Sequence, residues 1–349
     1  MRIVVNDIAA SNGGALTVLK EFYNCVKEND RDNEWIFLLG DALLEETDNI
    51  KIRVRKDVKA SGVKKLWFDF VSGRRYIGKL KPDVVVSLQN IITFGLKAPQ
   101  IVYIHQSIPF QKIKRFSFFK RSERKLAVYQ HIIGGIIKHS AKKSDCVIVQ
   151  TEWMRQAVCE SCKLPGEKVV KALPNVKRID VQANPGFFQK DQFFYPTSNG
   201  IYKNNTVVVK ADELLTQKGL SCQITMTLPP DKSQGNIRCI GKIPYSQVLE
   251  HYQTATLVFP SYIESFGYPL AEARRIGTVI LAAETPFAKE LLAGYENAYF
   301  FDPFKAEELA SLMERVLAGE IVPRAVSDIS GAQQDSWLLV LEQIRQVGV

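Results

Sequence analysis

Apolar residues along this chain gather in short continuous runs rather than in strict alternation. In the first half the runs fall at 2–6, 35–40, 50–55, 83–88, 100–105 and 146–150, most of them rich in Val and Ile. A strand covered on both faces reads as such a run, so the pattern predicts a parallel sheet flanked by helices. Helical spacing fills the intervals at 15–27, 63–80, 121–142 and 152–162. A less periodic stretch with Pro, Asn and Gly, 173–186, reads as a linker. Strand runs then resume at 192–195, 222–228, 237–240, 255–260, 278–283 and 298–301. Helical segments accompany them at 204–216, 245–253, 270–276, 287–292 and 306–317.

Two successive strand–helix series predict an α/β protein with two Rossmann-like, doubly wound domains facing each other across a cleft. The boundaries drawn are 1–176 and 177–335. A last amphipathic helix at 336–347 suits either domain by its pattern, and residues 336–349 are assigned to the first.

At 349 residues the chain is comfortable for two cores, and 46% hydrophobic with 24% charged residues is ordinary for a folded globular protein. No apolar run approaches the roughly 20 residues that span a bilayer. The opening Met1-Arg-Ile-Val-Val reads as a first strand rather than an export leader, so a cytoplasmic location and reduced cysteines are expected. Cys159 and Cys162 form a lone C-x-x-C without a second pair or a spaced histidine, and helix-end thiols are the reading adopted.

The formal charge of +9 is concentrated. Ten basic residues and the single acid Glu123 lie between Phe110 and Lys143, and their sum equals the charge of the whole chain. Within this patch Lys112, Lys114, Arg115, Phe118, Phe119, Lys120 and Arg121 interleave cations with aromatics. A solvated face, nucleic acid and an anionic membrane leaflet compete as explanations. No nucleic-acid-binding motif accompanies the charge, so nucleic acid is not expected as a partner. An anionic membrane surface is, with the protein peripheral on its inner face.

The sharpest chemical feature follows the run 255–260. It reads Ser261-Tyr-Ile-Glu264-Ser265-Phe266-Gly267-Tyr268-Pro269-Leu-Ala-Glu272. A strand end, a Gly-containing loop and a helix with Pro in its first turn present backbone N–H groups to an anion such as a diphosphate. Glu264 in the loop and Glu272 one turn into the helix would accept from hydroxyls at either end of the ligand.

This segment resembles the E-x7-E signature of family 4 glycosyltransferases, retaining enzymes of the GT-B fold. The likeness extends upstream over 243–252, downstream over 277–303, and to 149–154 and 172–176. The resemblance implies that Glu272 accepts from ribose hydroxyls and Glu264 from the donor sugar, with Glu264 catalytic. It places the amides around Phe266–Tyr268 on sugar and diphosphate, counts Ser265 among the donor-binding residues, and sets Lys242, Ile243 and Pro244 beside the base. The family usually sets an Arg about five residues before a Lys to neutralise the departing diphosphate. Here Lys203-Asn204 matches the Lys position, while Thr197 and Ser198 stand where the Arg is expected. A solvated helix-start lysine is the plainer reading of Lys203 taken alone.

Gly13 and Gly14 follow the first strand without G-x-G-x-x-G spacing, which speaks against a dinucleotide cofactor. The resemblance places such a loop beneath the donor phosphates; a plain strand–helix turn is the alternative. His105 closes a strand, where open sheets bind ligands, and the resemblance puts it at the reaction centre. His131, His139 and His251 show no ligand spacing, and Asp30-Arg-Asp32 is read as a solvated turn rather than a metal site. No metal and no cofactor is expected.

The reading is thus a retaining, metal-independent glycosyltransferase that takes a hexosyl or N-acetylhexosaminyl group from a nucleotide-sugar donor. UDP-sugar is preferred over GDP-mannose, and the acceptor is a glycan or lipid-diphosphate-linked glycan in surface polysaccharide synthesis. A nucleotide-sugar epimerase of the same fold and a basic nucleic-acid-binding protein are the rivals.

Overall fold

The computed structural model describes residues 1–11, 13–176, 179, 185–324 and 336–348. The chain divides into two compact units, one of residues 1–175 with 333–349 and one of residues 176–332. Residues 177, 178 and 180–184 of the expected linker lie outside the described residues.

The first unit holds seven parallel strands: β1 (Arg2–Asp7), β2 (Glu34–Leu39), β3 (Ile50–Val54), β4 (Val84–Ser87), β5 (Gln100–Ile104), β6 (Cys146–Val149) and β7 (Val169–Lys171), in the order β3-β2-β1-β4-β5-β6-β7. The second holds β8 (Gln192–Tyr195), β9 (Gln223–Met226), β10 (Ile237–Cys239), β11 (Thr256–Phe259), β12 (Ile280–Ala283) and β13 (Ala298–Phe301), in the order β10-β9-β8-β11-β12-β13. Every pairing between these strands is parallel. Both sheets therefore reverse strand order beside their first strand, which is the Rossmann-like topology. The continuous apolar runs have their cause here, because β4, β5, β6, β11 and β12 are buried at every position. Strand β7 was not expected: three residues leave too short a run to carry a pattern.

The last helix, Ser336–Val347, lies on the first unit. Trp337 packs 5.3 Å from the ring of Phe22 and stacks at 5.5 Å on Tyr103, while its Nε1 donates to Glu21 Oε2 at 3.3 Å. All six cysteines are free.

One sequence reading is corrected. Asp30 is not solvated but 4% exposed. Its carboxylate accepts from Asn33 Nδ2 at 2.8 Å and lies 3.7 Å from Arg345 of the last helix. The rest of the turn is as expected, with Arg31 and Asp32 exposed; Asp30 alone is buried, beside a helix distant in sequence.

Candidate active site

In the second sheet the strand order reverses between β8 and β11. Ligands of open parallel sheets lodge beyond the carboxyl ends of the strands at such a point. The register Thr256↔Phe193 and Leu257↔Phe194 brings the two strand ends together, so the loops that leave them meet. Tyr262 N donates to Tyr202 O at 3.0 Å, and Tyr195 Oη donates to Lys203 O at 2.6 Å. Burial pushes the Tyr195 phenol far up, so it remains a donor. Asn204 adopts φ 59°, and its Nδ2 donates to Pro303 O at 2.6 Å.

These backbone ties deliver two opposite charges to one point. Lys203 Nζ lies 2.5 Å from Glu264 Oε1, and Ser261 Oγ donates to the same oxygen at 2.7 Å. Both charged side chains are about one-fifth exposed, enough to reach a ligand and too little to wander.

Gly267 then turns the chain with φ +100° into the helix Tyr268–Ile276, with Pro269 in its first turn. Phe266 and Gly267 are buried, and their N–H groups have no acceptor among the described residues. Two such amides at a positive helix end have the chemistry to receive an anion. Glu272 sits half-buried one turn along, where Tyr245 Oη donates to its Oε1 at 3.1 Å. Burial first, then the Glu272 charge, raise the Tyr245 pKa, which keeps this phenol a donor. Tyr245 also opens the helix Tyr245–Thr254 directly after Lys242, Ile243 and Pro244. It therefore joins the loop expected beside the base to the carboxylate expected at the ribose.

The region without an arginine is resolved in part. Thr197 is engaged, its Oγ1 donating to Asn205 Oδ1 at 2.8 Å and its N–H to Thr227 Oγ1 at 2.7 Å. Ser198 is exposed, and its hydroxyl has no partner among the described residues.

In the first unit the switch point lies between β1 and β4. Helix Gly13–Asn29 starts there, and a Cβ placed on Gly14 would meet nothing within 4 Å, so the backbone is open to a ligand. His105 follows β5. Asn90 Oδ1 accepts from His105 N at 2.8 Å and Gln106 N at 2.9 Å, which turns Asn90 Nδ2 toward His105 Nε2 at 3.2 Å. Nε2 is thereby the acceptor and Nδ1 carries the proton. Burial lowers the His105 pKa to about 4, so the ring is neutral near pH 7.

Polar neighbours here escaped the sequence reading. Asn6 and Asp7 end β1 buried, with Asn6 Oδ1 and Asp7 Oδ2 lacking hydrogen-bond partners among the described residues. Burial raises the Asp7 pKa to about 7, against the pull of Lys65, the Ala10 amide and Lys59. Two polar residues closing the apolar run Ile3-Val-Val were the available signal. Asn90 and Tyr245 offered none, because each matters only through a partner distant in sequence.

The basic segment divides. Phe119 is 95% exposed and Phe118 is exposed beside it, whereas Phe110 and Phe116 are core residues. Lys112 pairs with Glu160 at 2.7 Å and Lys114 with Glu123 at 3.2 Å; Arg115 and Arg121 have no ion pair among the described residues. Lys112, Lys114, Arg115 and Lys138 line a depression of about 260 Å³. Among the described residues no three His, Cys, Asp or Glu side chains cluster as metal ligands, and no helix is long and apolar enough to cross a membrane.

Residues 231–330 match the family described as glycosyl transferases group 1. A D-inositol 3-phosphate glycosyltransferase of Mycolicibacterium smegmatis is 32% identical over 145 residues, covering 41% of this chain and 29% of that protein's length. The apo lipopolysaccharide outer core galactosyltransferase WaaB superposes with a TM-score of 0.69 at 13% identity, covering 99% of both chains. Anabaena HepE in complex with UDP and glucose superposes with a TM-score of 0.62 at 14% identity, covering 99% of this chain and 98% of its own. The chain has the GT-B glycosyltransferase fold.

Proposed function

We propose that this protein is a retaining, metal-independent glycosyltransferase that uses a nucleotide-diphosphate sugar, with UDP as the nucleotide. One observation carries the reading. The pair Lys203–Glu264 stands at the sheet's switch point beside a helix start with two amides unpartnered among the described residues, and Glu264 and that helix start lie within the stretch that matches group 1 glycosyltransferases.

In this reading the diphosphate sits on the Phe266 and Gly267 amides and on Lys203. Charge develops there as the sugar departs, and fixed donors stabilise it without reorganising. Glu264, oriented by Ser261, accepts from a donor-sugar hydroxyl. Glu272, held by Tyr245, accepts from the ribose. By the resemblance, neutral His105 and the Gly13–Gly14 turn of the first unit are also assigned to the donor. No carboxylate is assigned as a nucleophile. The acceptor hydroxyl attacks on the face the diphosphate leaves, and a phosphate oxygen takes its proton. HepE's UDP supports the choice of nucleotide.

The acceptor assigned is a glycan on a lipid diphosphate, in surface polysaccharide synthesis at the inner membrane face. Exposed Phe118 and Phe119 beside Arg115 and Arg121 support that location, since aromatics enter the interface while cations meet anionic headgroups.

Isothermal titration with UDP, GDP and ADP, followed by nucleotide release from the matching sugars with lipid-diphosphate acceptors, tests the proposal. UDP is expected to bind most tightly, and NMR of the product to show the donor's anomeric configuration retained. Nucleotide release undiminished in both Glu264→Ala and Glu272→Ala would overturn the site. Conversion of the donor sugar without any acceptor would favour an epimerase instead.

A further inference from the structure

The first unit carries a second concave feature on the same carboxyl-end rim as β1, beyond the edge strand β3. Two strand spacings separate β3 from β1, about 10 Å. The helical crossover that leaves β3 runs through Gly62–Trp67 and Gly73–Lys79. Two depressions of about 340 and 440 Å³ open along it and share Arg55, Trp67, Phe68 and Ser72 as lining. Trp67 is 62% exposed, whereas Phe68 next to it is buried.

The floor is rigid. Arg55 Nε and Nη2 donate to the two Asp57 carboxylate oxygens at 2.8 and 2.7 Å, and its guanidinium lies 4.4 Å from the centre of the Tyr76 ring. Asp57 is the one acid in the lining, and Arg55 neutralises it. Around the rim Lys64, Arg74, Arg75 and Lys79 are exposed, and none has an ion pair among the described residues.

We propose that this groove binds an anionic glycan, with a sugar ring stacked on Trp67 and its carboxylate or phosphate groups held by Arg74, Arg75 and Lys64. An exposed indole offers a flat, electron-rich face that suits the C–H side of a pyranose. Unpaired guanidinium groups suit carboxylate and phosphate. The depressions have the size of small-ligand sites and are concave, which fits a saccharide better than a flat bilayer surface. The site deepens the proposed function by giving the acceptor's charge class. It rests on that reading only for the role of acceptor, and binding itself requires no donor.

Acrylamide quenching of tryptophan fluorescence on the full chain tests it. Trp35 and Trp337 are buried and Trp153 is half-buried, so the accessible signal comes chiefly from Trp67. A hyaluronan hexasaccharide is expected to protect this signal saturably, with affinity falling as salt rises. Neutral maltohexaose is expected to bind at least about tenfold more weakly. Trp67→Ala and the double variant Arg74→Gln/Arg75→Gln should each lose about tenfold for the acidic hexasaccharide, read by calorimetry, while Trp67→Phe, which keeps a flat ring, should lose less. Equal binding of both hexasaccharides, no protection up to about 1 mM, or protection only by phosphatidylglycerol vesicles would overturn the proposal. UDP titration of the same variants separates the two readings. Lost UDP binding by the wild-type chain sinks the donor site and leaves this groove standing.

Discussion

Lys203 Nζ and Glu264 Oε1 lie 2.5 Å apart although 61 residues separate them in the chain. They meet because the loops after β8 and β11 leave adjacent strands at the point where the sheet reverses order. Ser261 holds the same Glu264 oxygen, so in the proposed function the carboxylate stays aimed when the lysine turns to a phosphate. Glu264→Gln and Lys203→Met should each lower kcat by roughly a hundredfold, the usual scale for a lost transition-state contact. Because both side chains keep some solvent, each variant should lose only about 1 kcal/mol of stability by urea unfolding. A stability loss that accounts for the whole loss of activity would reduce the pair to a structural ion pair.

Glu272 is set apart from the reacting end by a helical turn, with Tyr245 as its hydrogen-bond donor. Glu272→Ala is therefore expected to weaken UDP binding about tenfold in calorimetry while leaving kcat at saturating donor within a factor of about three. Tyr245→Phe should show the same signature at smaller amplitude. A fall in kcat alone would move Glu272 to the reaction centre.

Gly267 has φ +100°, a conformation that costs an L-residue roughly 1–2 kcal/mol. A Cβ there meets Phe287 and Leu291 only at 3.5 Å, so the expense is in the backbone rather than in packing. Gly267→Ala should lower Tm by several degrees and, by re-aiming the Phe266 and Gly267 amides, weaken UDP binding as well. Unchanged UDP affinity in a destabilised variant would show that these amides do not hold the diphosphate.

Asp7 and His105 pull the stability–pH curve in opposite directions. The Asp7 pKa is raised from 3.8 to about 7 by burial, so its contribution is complete below 3.8 and is lost as pH rises to about 7. Asp7→Asn should accordingly gain on the wild type between pH 4 and pH 7 and hold a constant advantage above that. The His105 pKa is lowered from 6.5 to about 4, so neutral histidine favours the fold above 6.5 and that contribution is lost as pH falls toward 4. His105→Gln should remove this acid loss. Differential scanning calorimetry of the two variants across pH 4 to 8 checks both signs, and parallel curves would show that neither group is perturbed by burial.

Ser198 occupies the place five residues before Lys203, and its hydroxyl points to no partner among the described residues. Ser198→Arg should supply a second cation to the diphosphate and tighten UDP about tenfold, the scale of one charge-assisted hydrogen bond. Unchanged affinity would mean that the loop cannot bring a side chain at this position to the phosphates.

Much of the architecture was legible in one dimension. Continuous apolar runs such as Val84–Ser87 and Thr256–Phe259 announce strands covered on both faces, because burial acts on each residue locally. The strand end, Gly267 and Pro269 likewise announce a helix start, since φ preference belongs to the residue itself. Short elements such as Val169–Lys171 left no period to read. Tertiary structure alone decided which charges meet. Asp30 looked solvated until the last helix covered it, and Asn90 looked ordinary until it fixed the His105 tautomer. Glu264 acquired Lys203 only when β8 and β11 became neighbours. Hydrophobic pattern and backbone preference are properties of near neighbours in the chain. Ion pairing and pKa depend on distances that only the order of strands in a sheet sets.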